Sequence, residues 1–458
     1  MKHRLSFLIL CCALVLFGQM AAAVERPNFI LILTDDQSWV GSSVLMDPDL
    51  PESRSDFFQT PELERLAARG MRFSQGYAPA PYCCPTRRSL QVGQTPARHV
   101  YQQDVADWPV RYREQLTIPR MLKAIDGRYR TAHFGKWDLR FDLVSPEDLG
   151  YDVSDGLTDN GEGGGRGSGG PAAVDDPKLI DHLTSASCTF LAEQAASGSP
   201  FYLQISHYAV HLDIYYREET LTRTKGWKIG EKHAMPEFAA MTYDVDQAIG
   251  AVVDKVTELG LSDNTYIIIM SDNGGRDSIP DAPDTSLPRN HPLRDGKGTM
   301  YEGGIRVPFM VIGPGIEAGS VSRVPVTGLD LLPTMADLAG NKNPLPSALD
   351  GGSIAPVLRG TGSTVSRQRD YLIFHQSVTR ESQSAIRRGQ YKLVKTWDED
   401  QVELFDVAAD PSETIDLGER MPELRDELHQ ELSSFLAEVG AETERSMSKK
   451  ELKKIFKR

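Results

Sequence analysis

The sequence predicts an α/β fold with a large mixed, mostly parallel sheet sandwiched by helices, followed by a smaller C-terminal antiparallel sheet with a helix. The first indication is the alternation of continuous apolar runs with helical patterns, which is typical of a sheet covered on both faces. The second is a change to short β-like runs after about residue 345. With 458 residues, the chain is long enough for both parts.

The first strand is predicted in "RPNFILILTDDQ", where an apolar run from Phe29 to Leu33 ends in polar residues. The first helix follows in "TPELERLAARG", with Thr60 as N-cap, Pro61 at the first helical position and Gly70 as the stop. The same alternation continues along the chain. Helices are predicted in "TIPRMLKAIDG" and "FAAMTYDVDQAIGAVVDKVTELG", and strands in "YRTAHF", "PFYLQIS" and "TYIIIM".

The C-terminal part has a different pattern. Short strands are predicted in "YLIFHQ", "SAIRRGQYKLVKTW" and "QVELFDV", and "PSETIDLGERMPELRDELHQELSSFLAEVG" is predicted to be a helix. The sequence therefore divides into an N-terminal leader at 1–23, a large α/β domain at 24–345 and a small α+β subdomain at 346–458.

The N-terminal residues have the anatomy of a secretory signal peptide: a basic start, an apolar run from Leu5 to Phe17 and a small-residue cleavage site at "QMAAA". Nothing later is long and apolar enough for a stable membrane span. We expect an exported protein, either periplasmic or secreted.

The net charge of −14 argues against nucleic acid or anionic membrane as a general partner. After removal of the leader, the cysteines are Cys83, Cys84 and Cys188, which is not the even, spaced set of a disulfide framework.

Oxygen ligands follow two of the strongly apolar strands. Asp35 and Asp36 come directly after the first, and Asp272 and Asn273 follow "YIIIM". Carboxylate and amide oxygens suit Ca²⁺ or Mg²⁺ and do not suit zinc. Any one of these acids could instead cap a turn, but two clusters at strand ends favour a metal site.

Two adjacent thiols stand in "APYCCPTRRSLQVG", where a helix is expected to open after Pro85. A helix start beside Arg87 and Arg88 would stabilise an anion and lower the pKa of a nucleophile. From composition alone, buried structural thiols would be the better interpretation.

The pattern Cys83-x-Pro85-x-Arg87, continuing to Leu90 and Gly93, resembles the signature of the type I, formylglycine-dependent sulfatases of the alkaline-phosphatase-like superfamily. Further segments resemble successive blocks of that family in the family's order. They are "FILILTDDQ", "FGKW", "SHYAVH", "SDNGG", "GKGTMYEGGIRVPFMV" and "RRGQYKLV...ELFDVAADPSET".

The resemblance implies that Cys83 is oxidised to formylglycine by a formylglycine-generating maturation enzyme, and that Cys84 fills a variable position. It implies one Ca²⁺ ion held by Asp35, Asp36, Asp272, Asn273 and the modified Cys83. It further implies that Lys136 and Lys297 hold the sulfate and leaving oxygens, that His211 protonates the leaving alcohol, and that Arg87 steadies the formylglycine.

One position departs from the family block G-K-W-H-L-G, because the chain reads "GKWDLR" with Asp138 in place of the histidine. In the family that histidine is thought to act as base for sulfate elimination. Asp138 could act as a base, but a carboxylate beside a sulfate is electrostatically costly. Either another group compensates its charge, with Arg140 and His133 as candidates, or turnover uses a different base.

The expected substrate is a sulfated carbohydrate, which an acidic protein must bind through a local basic pocket. The candidate residues are Trp227, Lys228, Arg276, His291 and Arg294, with a solvated basic loop as the alternative for each. Two other functions remain open at this point. One is a phosphonate or phosphate monoester hydrolase of the same fold, and the other is a sulfated-glycan binding protein that has lost turnover.

Overall fold

The computed structural model describes residues 25–99, 112–139, 144–164, 175–377 and 382–443. The predicted signal peptide at 1–23 and Arg140 lie outside these residues. The strands are β1 (Asn28–Thr34), β2 (Met71–Phe73), β3 (Gly76–Tyr77), β4 (Arg130–Gly135), β5 (Val153–Ser154), β6 (Phe201–Ser206), β7 (Thr265–Ser271), β8 (Phe309–Ile312), β9 (Ser320–Ser322), β10 (Val326–Thr327), β11 (Tyr371–Gln376), β12 (Gln383–Arg388), β13 (Tyr391–Thr396) and β14 (Gln401–Asp406). The helices are α1 (Pro61–Ala67), α2 (Cys83–Val92), α3 (Ile118–Ile125), α4 (Ile180–Ser197), α5 (Glu218–Thr224), α6 (Pro236–Glu258), α7 (Glu302–Ile305), α8 (Leu331–Leu338), α9 (Ala355–Leu358) and α10 (Pro422–Val439).

The large sheet has the strand order β5-β4-β6-β1-β7-β8-β2-β9. Its central strands β4, β6, β1 and β7 pair in parallel, whereas β8 is antiparallel to both β7 and β2. The predicted mixed, mostly parallel sheet is therefore confirmed.

Both faces of the sheet are covered. Ile30 and Ile32 of β1 pack into one hydrophobic cluster with residues of α1, α4 and α6. Leu31 and Leu33, which alternate with them, pack into a second cluster with residues of α2, α3 and α8. Since neighbouring residues of a strand point to opposite faces, a run that is apolar throughout is what a doubly covered strand requires.

The C-terminal sheet is antiparallel, in the order β11-β12-β13-β14, and α10 packs on it through Leu428, Leu432 and Phe435. The helix begins at Pro422, so the prediction of helix from residue 411 is wrong at its start. Proline fits the first turn of a helix, where its missing N–H needs no partner.

The core of the large sheet continues past the predicted domain boundary at residue 345. Leu349, Ile354 and Val357 are buried in the same cluster as Leu31. The boundary itself stays a prediction. Among the described residues, no helix is both long and apolar enough to cross a membrane.

A buried ionic network joins the C-terminal sheet to α7. Lys392 of β13 lies 2.7 Å from carboxylate oxygens of both Glu302 and Glu413, and all three side chains are fully buried. The Lys392 ammonium also donates to the carbonyl of Met300 at 3.0 Å. The network thereby connects the C-terminal sheet to the segment that follows Lys297.

Candidate active site

The central strands place polar side chains at a single edge of the sheet. Because β4, β6, β1 and β7 are parallel neighbours, their carboxyl ends meet there. Lys136 follows β4, Asp35 and Asp36 follow β1, and Asp272 and Asn273 follow β7. His211 lies in the segment after β6, whose backbone exchanges hydrogen bonds with that of Asp35 through Ala209 and Val210.

Special backbone conformations hold two of these positions. Asp36 has a left-handed φ of 59°, and its N–H donates to Oδ1 of Asp272 at 3.2 Å. Gly135, directly before Lys136, has a φ of 94°, and a Cβ there would lie 2.1 Å from the carbonyl oxygen of Ser206. Left-handed non-glycine residues cost free energy and occur preferentially at functional sites.

Cys83 is the first residue of α2, which ends at Gly93 with a left-handed φ of 66°. The expectation that Cys83 lies on a loop, with the helix opening after Pro85, is therefore wrong. The helix can start before Pro85 because Pro85 falls in the first turn, where backbone N–H groups have no intrahelical partner.

The Cys83 thiol faces Asp35 and Asp36, the two aspartates that directly follow β1. Its Sγ lies 3.4 Å from Oδ1 of Asp35 and 4.0 Å from Oδ1 of Asp36. The ammonium of Lys297 lies 3.3 Å from the same sulfur and donates to Oδ1 of Asp36.

Two further cations, Lys136 and Arg87, pair with carboxylates of the site. The Lys136 ammonium donates to Oδ2 of Asp35 at 2.6 Å. The Arg87 guanidinium donates to Oδ2 of Asp272 at 3.0 and 2.8 Å and to the carbonyl of Lys136. Arg87 thus ties the first turns of α2 to the ends of both β7 and β4.

This arrangement separates the pKa values of neighbouring groups. Burial would raise the pKa of Asp35, but Lys136 and the other cations lower it well below its usual range. Burial, and then Asp35, raises the pKa of Asp272 to about 6.

Burial raises the pKa of the Cys83 thiol well above its usual value, and Asp272 and Asp35 raise it further. The expectation that the helix start lowers the pKa of a nucleophile here is wrong for the unmodified thiol, because these carboxylates face it. An uncharged thiol is a poor nucleophile.

The predicted metal ligands fit a hard cation. Ligand atoms of Asp35, Asp36, Cys83 and His211 lie within 4.8 Å of one another. Oδ2 of Asp36 and Oδ1 of Asn273 are buried and accept no hydrogen bond from any described residue. Since buried oxygens normally have a partner, these two have coordination capacity to spare.

His211 and Asp138 lie beside this cluster, near Asp36 and Lys136 respectively. The Nε2 atom of His211 is 3.8 Å from Oδ2 of Asp36, and burial followed by Lys297 lowers the pKa of the ring to about 4. Oδ2 of Asp138 is 3.5 Å from the Lys136 ammonium. His133 does not compensate Asp138, because burial lowers its pKa to about 3 and leaves it neutral.

The five predicted substrate-binding residues differ in their contacts and in their exposure to solvent. The guanidinium of Arg294 stacks 3.6 Å from the Tyr301 ring and pairs with Glu403 at 3.2 Å. Trp227 packs its ring edge-on against Phe57. Lys228 is exposed and His291 is half-buried. Arg276 is half-buried and donates within its own loop, to the carbonyl of Ser278 at 3.4 Å. Their assignment to substrate stays a prediction.

Lys178 is a buried cation that the sequence analysis missed. It lies in the loop before α4, is 1% exposed, and its charge interacts with Asp35 and Asp36. A single lysine after a glycine-rich segment forms no sequence motif, so the sequence alone does not indicate that Lys178 lies near the site.

Fold and site together place the protein among the hydrolases of the alkaline-phosphatase-like superfamily. The family model "Sulfatase" matches residues 27–341, and "N-sulphoglucosamine sulphohydrolase, C-terminal" matches residues 290–438. The chain therefore belongs to the sulfatase family and is a sulfuric ester hydrolase.

Curated relatives agree with this assignment. The chain is 30% identical to human arylsulfatase A, with 81% of this chain and 75% of the relative covered. It is 28% identical to a sulfatase of Formosa agariphila, with 86% and 85% covered, and to mouse N-acetylgalactosamine-6-sulfatase, with 82% and 74% covered.

Solved structures show the same architecture. The structure of Ps i-CgsB in complex with k-i-k-neocarrahexaose matches with a TM-score of 0.72 and 25% identity, covering 90% of this chain and 93% of that one. A complex with D-Glucosamine-2-N, 6-O-disulfate, described as that protein's substrate, matches with a TM-score of 0.65 and 20% identity, covering 92% and 100%.

Proposed function

We propose that the protein is an exported carbohydrate sulfatase that uses a formylglycine made from Cys83 together with one Ca²⁺ ion. The observation that carries the proposal is the position of Cys83 on the first turn of α2, between Asp35, Asp36 and Lys297. Export rests on the leader at 1–23, and formation of the aldehyde requires a maturation enzyme as partner.

The side chains around Cys83 suit the transfer of a sulfuryl group. Lys136 and Lys297 would hold sulfate oxygens and neutralise charge that develops on the leaving oxygen. Arg87 would keep residue 83 in place through its bonds to Asp272 and to the Lys136 carbonyl. His211 would protonate the leaving alcohol, and because its ring is neutral at rest it must first take up a proton.

Formylglycine at position 83 and the calcium ion would supply the remaining chemistry. Hydrated formylglycine at position 83 would supply two hydroxyls on one carbon, one as nucleophile towards sulfur and one whose deprotonation would release sulfate, which the single hydroxyl of serine cannot supply. Calcium held by Asp35, Asp36, Asp272 and Asn273 would lower the pKa of a hydroxyl bound to it.

Asp138 is the candidate base for the elimination step, because it stands at the position of the family histidine, with its carboxylate 3.5 Å from the Lys136 ammonium. We expect Asp138→Asn to lower kcat by about 10²-fold or more, the usual contribution of a positioned base, with KM unchanged or lower. Asp138→His, which restores the family residue, should retain turnover. Steady-state kinetics measures both variants.

A matched control for Asp138 is Asp254→Asn on the surface of α6, which also removes one carboxylate charge and should leave kcat unchanged. If Asp138→Asn keeps kcat within about threefold of the parent, elimination uses another base.

The carbohydrate assignment is tested by sulfate release. We expect wild-type protein from a host with maturation machinery to release sulfate from sulfated glycan oligosaccharides. Release from a small aryl sulfate without release from any glycan would contradict the carbohydrate part. Faster hydrolysis of a matched aryl phosphate would favour the phosphate-ester alternative, and tight glycan binding without release would favour the binding-protein alternative.

A further inference from the structure

The loop before α4 contains a buried cation that the mechanism above does not use. Lys178 is 1% exposed, and among the described residues its ammonium interacts with carboxylates only through space, without a hydrogen bond. Its one direct partner is an aromatic face, since Nζ lies 5.4 Å from the centroid of the Tyr215 ring. Buried charges are normally paired, so an unpaired buried ammonium is costly to the fold.

The position of Tyr215 relates Lys178 to the active site. Tyr215 lies four residues beyond His211, in the segment whose backbone binds Asp35. The charge of Lys178 interacts with Asp35, Asp213 and Asp36, in that order. Lys178 therefore lies beside the catalytic cluster and against the segment that runs from His211 to Tyr215.

Lys178 is not needed at the reacting sulfur. Lys136 and Lys297 already contact Asp35, Asp36 and Cys83 directly. Lys178, in contrast, makes no direct contact with these groups and lies against an aromatic ring. An aromatic face beside a cation is a surface on which a sugar ring can stack while one of its anionic groups is bound.

Lys178 is charged at neutral pH, although burial lowers its pKa to about 8. Asp35 and Asp213 oppose that effect. A cation that is buried, charged and without a direct ionic partner among the described residues can be paired by an anionic group of a bound substrate.

We propose that Lys178 binds a second anionic group of the substrate, distinct from the sulfate that is cleaved, while Tyr215 contacts the ring that bears it. The substrate class is then a carbohydrate with at least two anionic groups close together. This inference rests on the proposed sulfatase function and adds a specificity determinant to it.

The test is a binding measurement that does not depend on turnover. In a Cys83→Ala background, calorimetry would compare N-acetylglucosamine 6-sulfate with glucosamine 2-N,6-O-disulfate, and mono- with disulfated chondroitin disaccharides. We expect tighter binding of the disulfated member of at least one pair. Lys178→Met should reduce that preference by roughly 10- to 100-fold, the usual worth of a hydrogen bond to a charged group.

Lys178→Arg should retain the preference, because it keeps the charge. Lys255→Met, which removes a half-buried lysine of α6 paired with Glu258, should leave the preference unchanged. Lys178→Met should also raise the melting temperature, because it removes an unpaired buried charge. A structural lysine would show the reverse, a lower melting temperature with the preference retained.

Equal affinity within every pair, or a preference that survives in Lys178→Met, would overturn the proposal. Failure of the proposed function would be seen separately, as an absence of sulfate release by the protein with Cys83 intact.

Discussion

Replacement of Cys83 by alanine is expected to lower sulfate release by on the order of 10⁴-fold or more, as the loss of an enzyme's nucleophile does. Cys83 is the side chain at the start of α2 that faces Asp35, Asp36 and Lys297 together. The loss should be seen in kcat when sulfate is measured with protein from a maturation-competent host.

Cys84→Ala is the matched control for this variant. Cys84 is half-buried and packs at the edge of the cluster that contains Leu90 and Val92. We expect turnover within about threefold of wild type, because the motif leaves this position variable and alanine suits a helix. Equal loss in the two variants would show that the assignment of the nucleophile to Cys83 is wrong.

Lys392→Met is expected to destabilise the protein by about 3–5 kcal/mol, the usual effect of breaking a buried ion pair from one side. Removal of the ammonium leaves Glu302 and Glu413 buried together without their shared cation. Burial, and then Glu302, already holds the pKa of Glu413 at about 7 with Lys392 present. Urea unfolding would measure the change.

Lys395→Met on the same strand is the control for Lys392. Its partner Asp400 is 94% exposed, so the lost pair should contribute less than about 1 kcal/mol. If the two variants lose equal stability, the buried network does not stabilise the contact between β13 and α7.

Much of the site could be predicted because its residues follow strands. An apolar run that ends in Asp35 and Asp36 indicates both a buried strand and the edge at which it ends, and the same holds for Asp272. Parallel pairing then brings the strand ends together without further information.

Other features depend on tertiary contacts that no local pattern reports. Glu302 and Lys392 are far apart in the chain, and only the packing of β13 on the Met300 segment pairs them. The raised pKa of Cys83 has the same origin, since it depends on carboxylates at the ends of two strands. Lys178 depends on the fold of a loop, which periodicity does not describe.

The start of α2 was misplaced for a local reason. The sequence predicts a helix that opens after Pro85, whereas proline is tolerated in the first turn and the helix begins at Cys83. The difference places Cys83 on a helix end, with its sulfur 3.4 Å from Asp35, and not on a loop.

The most direct test of the account is the mass of the peptide that contains Cys83, from protein made in a host with maturation machinery. We expect a mass that corresponds to an aldehyde in place of the CH₂SH group, and the unmodified mass in protein from a host without that machinery. An intact thiol at Cys83 in active protein from the maturation-competent host would contradict the account.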